Sequence, residues 1–177
     1  MRIKETKVYE YNELSEEAKE TALDEWIDSI SEFVWMDEYL DSIQAGLKAF
    51  DCTLDDYNID WLDTNRTSIK ISAWDLEEDE EERDIETVLN EDYKDVIFSK
   101  DGCPFTGFCG DENFLDPIRA FLKNPDKETT MKELMDDCVY SVLTAARKDA
   151  EYQMTEEYFI DHADANNFEF TEDGKMV

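Results

Sequence analysis

The sequence predicts an α+β fold, a single domain over residues 1–177 in which an antiparallel sheet of short strands packs with four to six helices. Three observations carry that expectation. Apolar residues recur at helical spacing in the first fifty residues and again from Asp111 onward. Between them, from Leu54 to Trp74, the period falls to two. No internal repeat or linker divides the chain.

Lys7-Val8-Tyr9-Glu10-Tyr11 alternates modestly and reads as a short strand. Ser15 before Glu16 and Glu17 is an N-cap followed by carboxylates that favour the helix dipole. Ala18, Ala22, Leu23, Trp26, Ile27 and Ile30 continue that helix, and Trp35, Met36, Tyr39, Leu40, Ile43, Leu47 and Phe50 form a second stripe. The two are expected to meet near Ser31, with a single kinked helix as the alternative. Ile59, Trp61, Ile69, Ile71 and Ala73 alternate on either side of Asp63-Thr64-Asn65-Arg66, which fits a hairpin.

An acidic loop is expected over 75–86, where nine of twelve residues are acidic, and Asp95-Val96-Ile97-Phe98-Ser99 reads as a further strand. Pro104, Gly107 and Gly110 punctuate an aromatic loop around Phe105 and Phe108. A helix resumes through Asp111, Phe114, Leu115, Ile118, Phe121 and Leu122, with Pro117 expected in its first turns. Asn124-Pro125-Asp126 ends it. Thr130 and Glu133 make a capping box before the strongest stripe, Met131, Leu134, Met135, Cys138, Val139, Val142, Leu143 and Ala146. A last helix is expected from Thr155 to Ala165, and a turn at Asp173-Gly174 within the tail.

Charge dominates the composition. Asp and Glu number 48 against 17 Lys and Arg and a single His, a net of -31 in 177 residues. Such a chain repels nucleic acid and anionic membranes, so its complement is a strongly basic surface. Duplex DNA carries one charge per roughly 1.7 Å of axis, so thirty-one charges correspond to roughly 50 Å of duplex. A compact domain of this length is about 40 Å across. The two charge densities are comparable, which makes nucleic-acid mimicry the leading expectation. Disorder is excluded, because the chain is 41% hydrophobic and 12% aromatic.

The acidic run is the sharpest candidate site: Asp75, Glu77, Glu78, Asp79, Glu80, Glu81, Glu82, Asp84 and Glu86, broken only by Leu76, Arg83 and Ile85. Taken alone it is equally a solvated loop. Further acids at Asp136-Asp137 and Glu156-Glu157 extend the pattern onto helices, where spacing is fixed. Phe105 and Phe108 are the candidate apolar anchors of a partner interface. No metal site or cofactor is expected. Asp56, Asn58 and Asp60 resemble the start of a calcium loop, but Trp61 stands where Gly is needed and Thr67 where the bidentate Glu belongs. Cys103 and Cys109 have five residues between them, outside zinc-knuckle spacing, and three of the four cysteines are expected as buried thiols. The one imidazole, His162, lies in an acidic helix, expected at the surface, and no nucleophile or phosphate-binding motif accompanies it. A non-enzyme is expected. No apolar run spans a membrane, and Met1-Arg2-Ile3-Lys4-Glu5 lacks the apolar core of a signal peptide, so the expected compartment is the cytoplasm.

The segment Tyr9-Glu10-Tyr11-Asn12-Glu13-Leu14-Ser15-Glu16-Glu17-Ala18-Lys19-Glu20-Thr21-Ala22 and the later Phe105-Thr106-Gly107 resemble small acidic phage and prophage proteins. These carry a strand followed by a Leu-Ser-Glu-Glu-Ala-Lys helix start. The resemblance covers the first helix and one loop and marks no active site. It implies a phage protein acting in the host cytoplasm and, with the charge, a character similar to anti-CRISPR and anti-restriction inhibitors. The expected partner is therefore a basic nucleic-acid-binding protein, a CRISPR effector or a restriction enzyme, with no direct binding to nucleic acid or membrane. The alternative is an acidic antitoxin-like or assembly protein that folds against a basic partner.

Overall fold

The computed structural model describes residues 7–30, 36–75 and 84–177. Its elements are α1 (Glu16–Ile30), α2 (Met36–Ala49), β1 (Thr53–Asn58), β2 (Ser68–Ser72), α3 (Ile85–Asp92), α4 (Lys94–Ile97), α5 (Gly110–Lys123), α6 (Met131–Gln153) and α7 (Glu156–Asn166). The class is α+β, with β1 and β2 paired antiparallel. The chain builds two compact units, Val34–Lys148 and Met1–Phe33 with Asp149–Val177.

In the first unit, the stripes of α2, α5 and α6 converge on a core of Ile43, Leu47, Phe50, Phe114, Leu115, Ile118, Met135, Cys138 and Val142, all fully buried. Each large apolar side chain removed from water contributes about 1.5–3 kcal/mol before entropy is counted. The approach of α2 to α5 depends on small residues. A Cβ on Gly46 would sit 2.8 Å from the Phe114 ring, and one on Gly110 would sit 2.7 Å from Ser42 Oγ. Beyond α2 the chain turns through Asp51, whose φ of 55° is left-handed. The Cys52 N–H donates to the Leu47 carbonyl at 2.9 Å and the Asp51 N–H to Lys48 at 3.2 Å, the paired bonds of a Schellman turn with Asp in the glycine position.

Several expectations are corrected here. The first hairpin strand runs Thr53–Asn58, so Ile59 and Trp61 lie in the connection beyond it. Asp60 ends the strand by accepting the N–H groups of Leu62 at 3.1 Å and Asp63 at 3.0 Å, an Asx turn that outcompetes ladder bonds. The segment Asp95–Ser99 is not a strand. Lys94–Ile97 forms a helical turn with Ile97 fully buried, and Arg119 Nε donates to the Ile97 carbonyl at 2.9 Å. A short apolar run does not reveal its period, and among the described residues no strand pairs with it. Pro117 falls in the third turn of α5, because that helix already begins at Gly110.

In the second unit, Ser15 caps α1 by accepting the Ala18 N–H at 3.2 Å. Ala18, Ala22, Trp26 and Ile30 are its buried face. Trp26 Nε1 donates to the Gln153 carbonyl at 3.0 Å, and its ring stacks on Phe159 at 5.5 Å. The expected strand at Lys7–Tyr11 reduces to one antiparallel bridge, Tyr9 to Phe170, because Tyr11–Glu13 turns into a 3-10 helix. Thr155 caps α7 through the Tyr158 N–H. The tail turn closes at Gly174, with φ of 85°, packed so tightly that any Cβ would overlap the Ala18 carbonyl. The expected junction near Ser31 lies outside the described residues.

Candidate interaction surface

Among the described residues, folding puts almost all of the negative charge outside. Among the described residues Asp111 is the one buried carboxylate. Helix α1 shows the consequence most clearly: its buried face is apolar, and Glu16, Glu17, Glu20, Asp24, Glu25 and Asp28 are all exposed. From Glu16 to Asp28 is roughly 18 Å of helix axis, along which the six carboxylates stand on average about 3.6 Å apart. Discounting Glu16, which pairs with Lys19 at 2.9 Å, widens the mean interval to about 4.1 Å. One strand of DNA presents a charge about every 3.4 Å of axis, to which the interval of the six is close.

The expected acidic run divides. Glu77, Glu78, Asp79, Glu80, Glu81 and Glu82 lie outside the described residues. Asp84 and Glu86 belong to helix α3 and not to a loop: Asp84 is its N-cap, accepting the Thr87 N–H at 2.9 Å and the Thr87 hydroxyl at 2.7 Å. These bonds stabilise the ionised form and hold the Asp84 carboxyl below the usual carboxylate range. Asp75, Asp84 and Glu86 line one groove of about 180 Å³ with Asp126, Lys127 and Glu128.

Phe105 and Phe108 are half-buried, not free-standing. Phe105 meets Phe114 edge-on at 6.0 Å, and Phe108 meets Tyr39 edge-on at 4.8 Å. The loop bearing them is held from inside by Asp111. Its carboxylate accepts the backbone N–H groups of Phe105, Thr106 and Gly107 at 2.8, 2.7 and 3.2 Å, and the Thr106 hydroxyl at 2.8 Å. Three successive amides aimed at one point form an anion nest, and here the anion is the chain's own. Gly107 makes the geometry possible with φ of 83°. Phe105-Thr106-Gly107 is thus a structural motif. The sequence marks Asp111 only by its place just after Gly110 at a helix start.

The remaining polar candidates are structural as well. Two cysteines, Cys52 and Cys138, are buried where three were expected, while Cys103 is half-buried and Cys109 exposed. Burial pushes the Cys138 thiol well above its ordinary value. His162 lies in an aromatic cluster, 4.9 Å from the Trp26 ring and 5.7 Å from Tyr158. No three His, Cys, Asp or Glu side chains among the described residues are placed to hold a metal ion. No helix among them is long and apolar enough to cross a membrane. Asp136 is paired with Lys132 at 2.6 Å, and Glu156 accepts the Tyr11 hydroxyl at 3.0 Å, whereas Asp137 and Glu157 are exposed. Comparison with protein-family models, curated proteins and solved structures found no match for the chain.

Proposed function

We propose that the protein is a phage-encoded, non-enzymatic inhibitor of a host defence nuclease, of the anti-CRISPR or anti-restriction kind. It acts in the host cytoplasm by occupying a basic surface that otherwise holds nucleic acid. The observation that carries this reading is the outer face of α1, where a rigid helix spaces exposed carboxylates at close to the linear charge density of a DNA strand. A loop of acids attracts cations but fixes no spacing; a helix does both. Lysines and arginines that bind phosphates would pair with these carboxylates, and the net charge of -31 would steer the encounter.

The test is expression in bacteria carrying an active CRISPR effector or restriction enzyme, scored by transformation with a targeted plasmid. At least a tenfold gain in transformants over an empty vector is expected in one of the two hosts. No gain in either overturns the reading. The second reading, an acidic antitoxin-like or assembly protein, is supported by the part of Phe105 and Phe108 that stays open to solvent beyond their packing on Phe114 and Tyr39, an apolar contact that a phosphate surrogate does not need. DNA displaces the protein from its target under the first reading and leaves it bound under the second.

A further inference from the structure

Helices α5 and α6 leave between them an open trough of about 710 Å³, with Pro117, Ala120, Phe121, Leu134 and Ala145 among its apolar lining. On its edge stands Tyr140, 64% exposed, the most exposed aromatic ring among the described residues. The same ring borders a second groove of about 210 Å³ on the other side of α6, lined by Ile69, Val139 and Leu143. An aromatic crest between a trough whose lining also holds Asn113, Asp137, Ser141 and Thr144 and a second groove edged by Asp136 has the composition of an apolar interface centre with a polar rim. The trough also shares Phe121 and Thr129 with the groove bordered by Asp84, Glu86, Asp126 and Glu128. One end is therefore strongly acidic. At the other end lies Lys148, eleven residues and about 16 Å along α6 from Asp137.

We infer that this trough seats a basic amphipathic helix of a partner protein, its apolar face on Phe121, Ala120 and Tyr140 and its lysines or arginines over the acidic end. The inference rests on the reading that the partner is basic, and it names the shape of the segment that docks. Helical form follows from the walls: α5 and α6 have satisfied backbones and offer an extended peptide no ladder partners, whereas a helix brings its own hydrogen bonds. A second copy of this chain is disfavoured, since it would bring another net charge of -31 to the same surface. The charge asymmetry along the trough orients the guest, with its basic end toward Asp84 and Glu86 and Lys148 beside its opposite end.

The experiment uses the full chain and two labelled probes, a 14-residue helical peptide of leucine and lysine and an oligolysine with the same number of lysines. Binding is followed by fluorescence anisotropy at physiological salt. The amphipathic peptide is expected to bind at least tenfold tighter than oligolysine. Tyr140→Ala and Ala120→Trp, which fills the trough without changing charge, are each expected to weaken the amphipathic peptide tenfold and leave oligolysine unchanged. Equal affinity for the two probes, or parental affinity in both variants, overturns the inference. Amide shift perturbations in the unmutated protein give a second measurement: changes centred on α5 and α6 support the trough, and changes confined to other elements overturn it. A dimer in sedimentation that Tyr140→Ala dissolves would assign the trough to a second copy and also overturn it. The two readings fail separately, because a protein that gives no protection in cells can still bind the helical probe in the trough, and the reverse holds too.

Discussion

The Asp111 carboxylate, itself fully buried, accepts both the backbone N–H and the hydroxyl of Thr106, at 2.7 and 2.8 Å. With that hydroxyl hydrogen committed, Ser42 Oγ is the donor to Thr106 Oγ1 at 3.2 Å, which ties the aromatic loop to α2 as well as to α5. A buried carboxylate is costly unless its acceptor sites are filled, and here four donors fill them. Asp111→Ala removes the acceptor of all four donors. It is expected to cost about 3 kcal/mol, the penalty of leaving buried donors unsatisfied, with a corresponding fall in the urea midpoint. A loss under about 0.5 kcal/mol, the range of an ordinary surface change, would show that the loop holds without the nest.

Gly46 tests the α2–α5 crossing. A methyl group there meets the Phe114 ring, itself fully buried with no room to withdraw. Gly46→Ala is expected to destabilise by about 1–3 kcal/mol despite its better helix propensity. Adding Phe114→Leu should then cost less than it does alone, because the two changes share one space. Additive losses in the double-mutant cycle would rule out a direct steric conflict.

The stripes of α2 and α6 and the capping box at Thr130 and Glu133 were legible in the sequence, because each is a local pattern that burial follows directly. What was illegible depended on partners distant in sequence or on competing side chains. Ile97 resembled a strand residue until Arg119 claimed its carbonyl. Asp60 ended β1 early with a bond the apolar alternation does not record. Asp111 was one acid among 48, and its place just after Gly110, three residues before Phe114 on the helical stripe, marks it only weakly as a carboxylate facing inward. The charge on α1 was legible as composition, but its spacing emerged only once Trp26 and Ala22 fixed which face turns inward.

Asp84 gives an acid-side prediction. Its carboxyl lies below the ordinary 3.8 in the folded protein through the Thr87 hydrogen bonds. A depressed folded value contributes stability that is present above 3.8 and lost as pH falls through the folded value. Asp84→Asn keeps the cap and is expected to remove part of the stability loss below pH 3.8, while Asp84→Ala costs about 1 kcal/mol at neutral pH. Unfolding curves at pH 7 and across the acid limb check both. An unchanged acid limb in Asp84→Asn would count against the cap as its source.

Tyr93 gives the alkaline counterpart. Burial first, and then its bond to Asp51 Oδ2 at 2.8 Å, push the phenol up to about 12. A raised folded value contributes stability that is fully present below the unfolded value near 10 and is lost as pH rises toward 12. Tyr93→Phe should therefore be less stable than the parent at pH 8 and show a smaller further loss between pH 10 and 12. Parallel curves for the two proteins across that window would remove Tyr93 from the account.

The functional reading divides the acidic surface into two parts that mutation can separate. Neutralising Glu77, Glu78, Asp79, Glu80, Glu81 and Glu82 removes charge from the acidic run; neutralising Glu17, Glu20, Asp24 and Asp28 removes it from the outer face of α1. Both variants should fold, and both should gain slightly in stability at low salt, because each relieves repulsion among like charges. They should differ in association with the basic target. If helical spacing is what imitates phosphate, the α1 variant loses more than its share, with the association rate falling tenfold or more, while the six-charge change in the run mainly flattens the salt dependence. Stopped-flow association at two salt concentrations reads both quantities. Equal losses per charge removed would mean that only the net field matters, and the geometric part of the mimicry would then have to be abandoned.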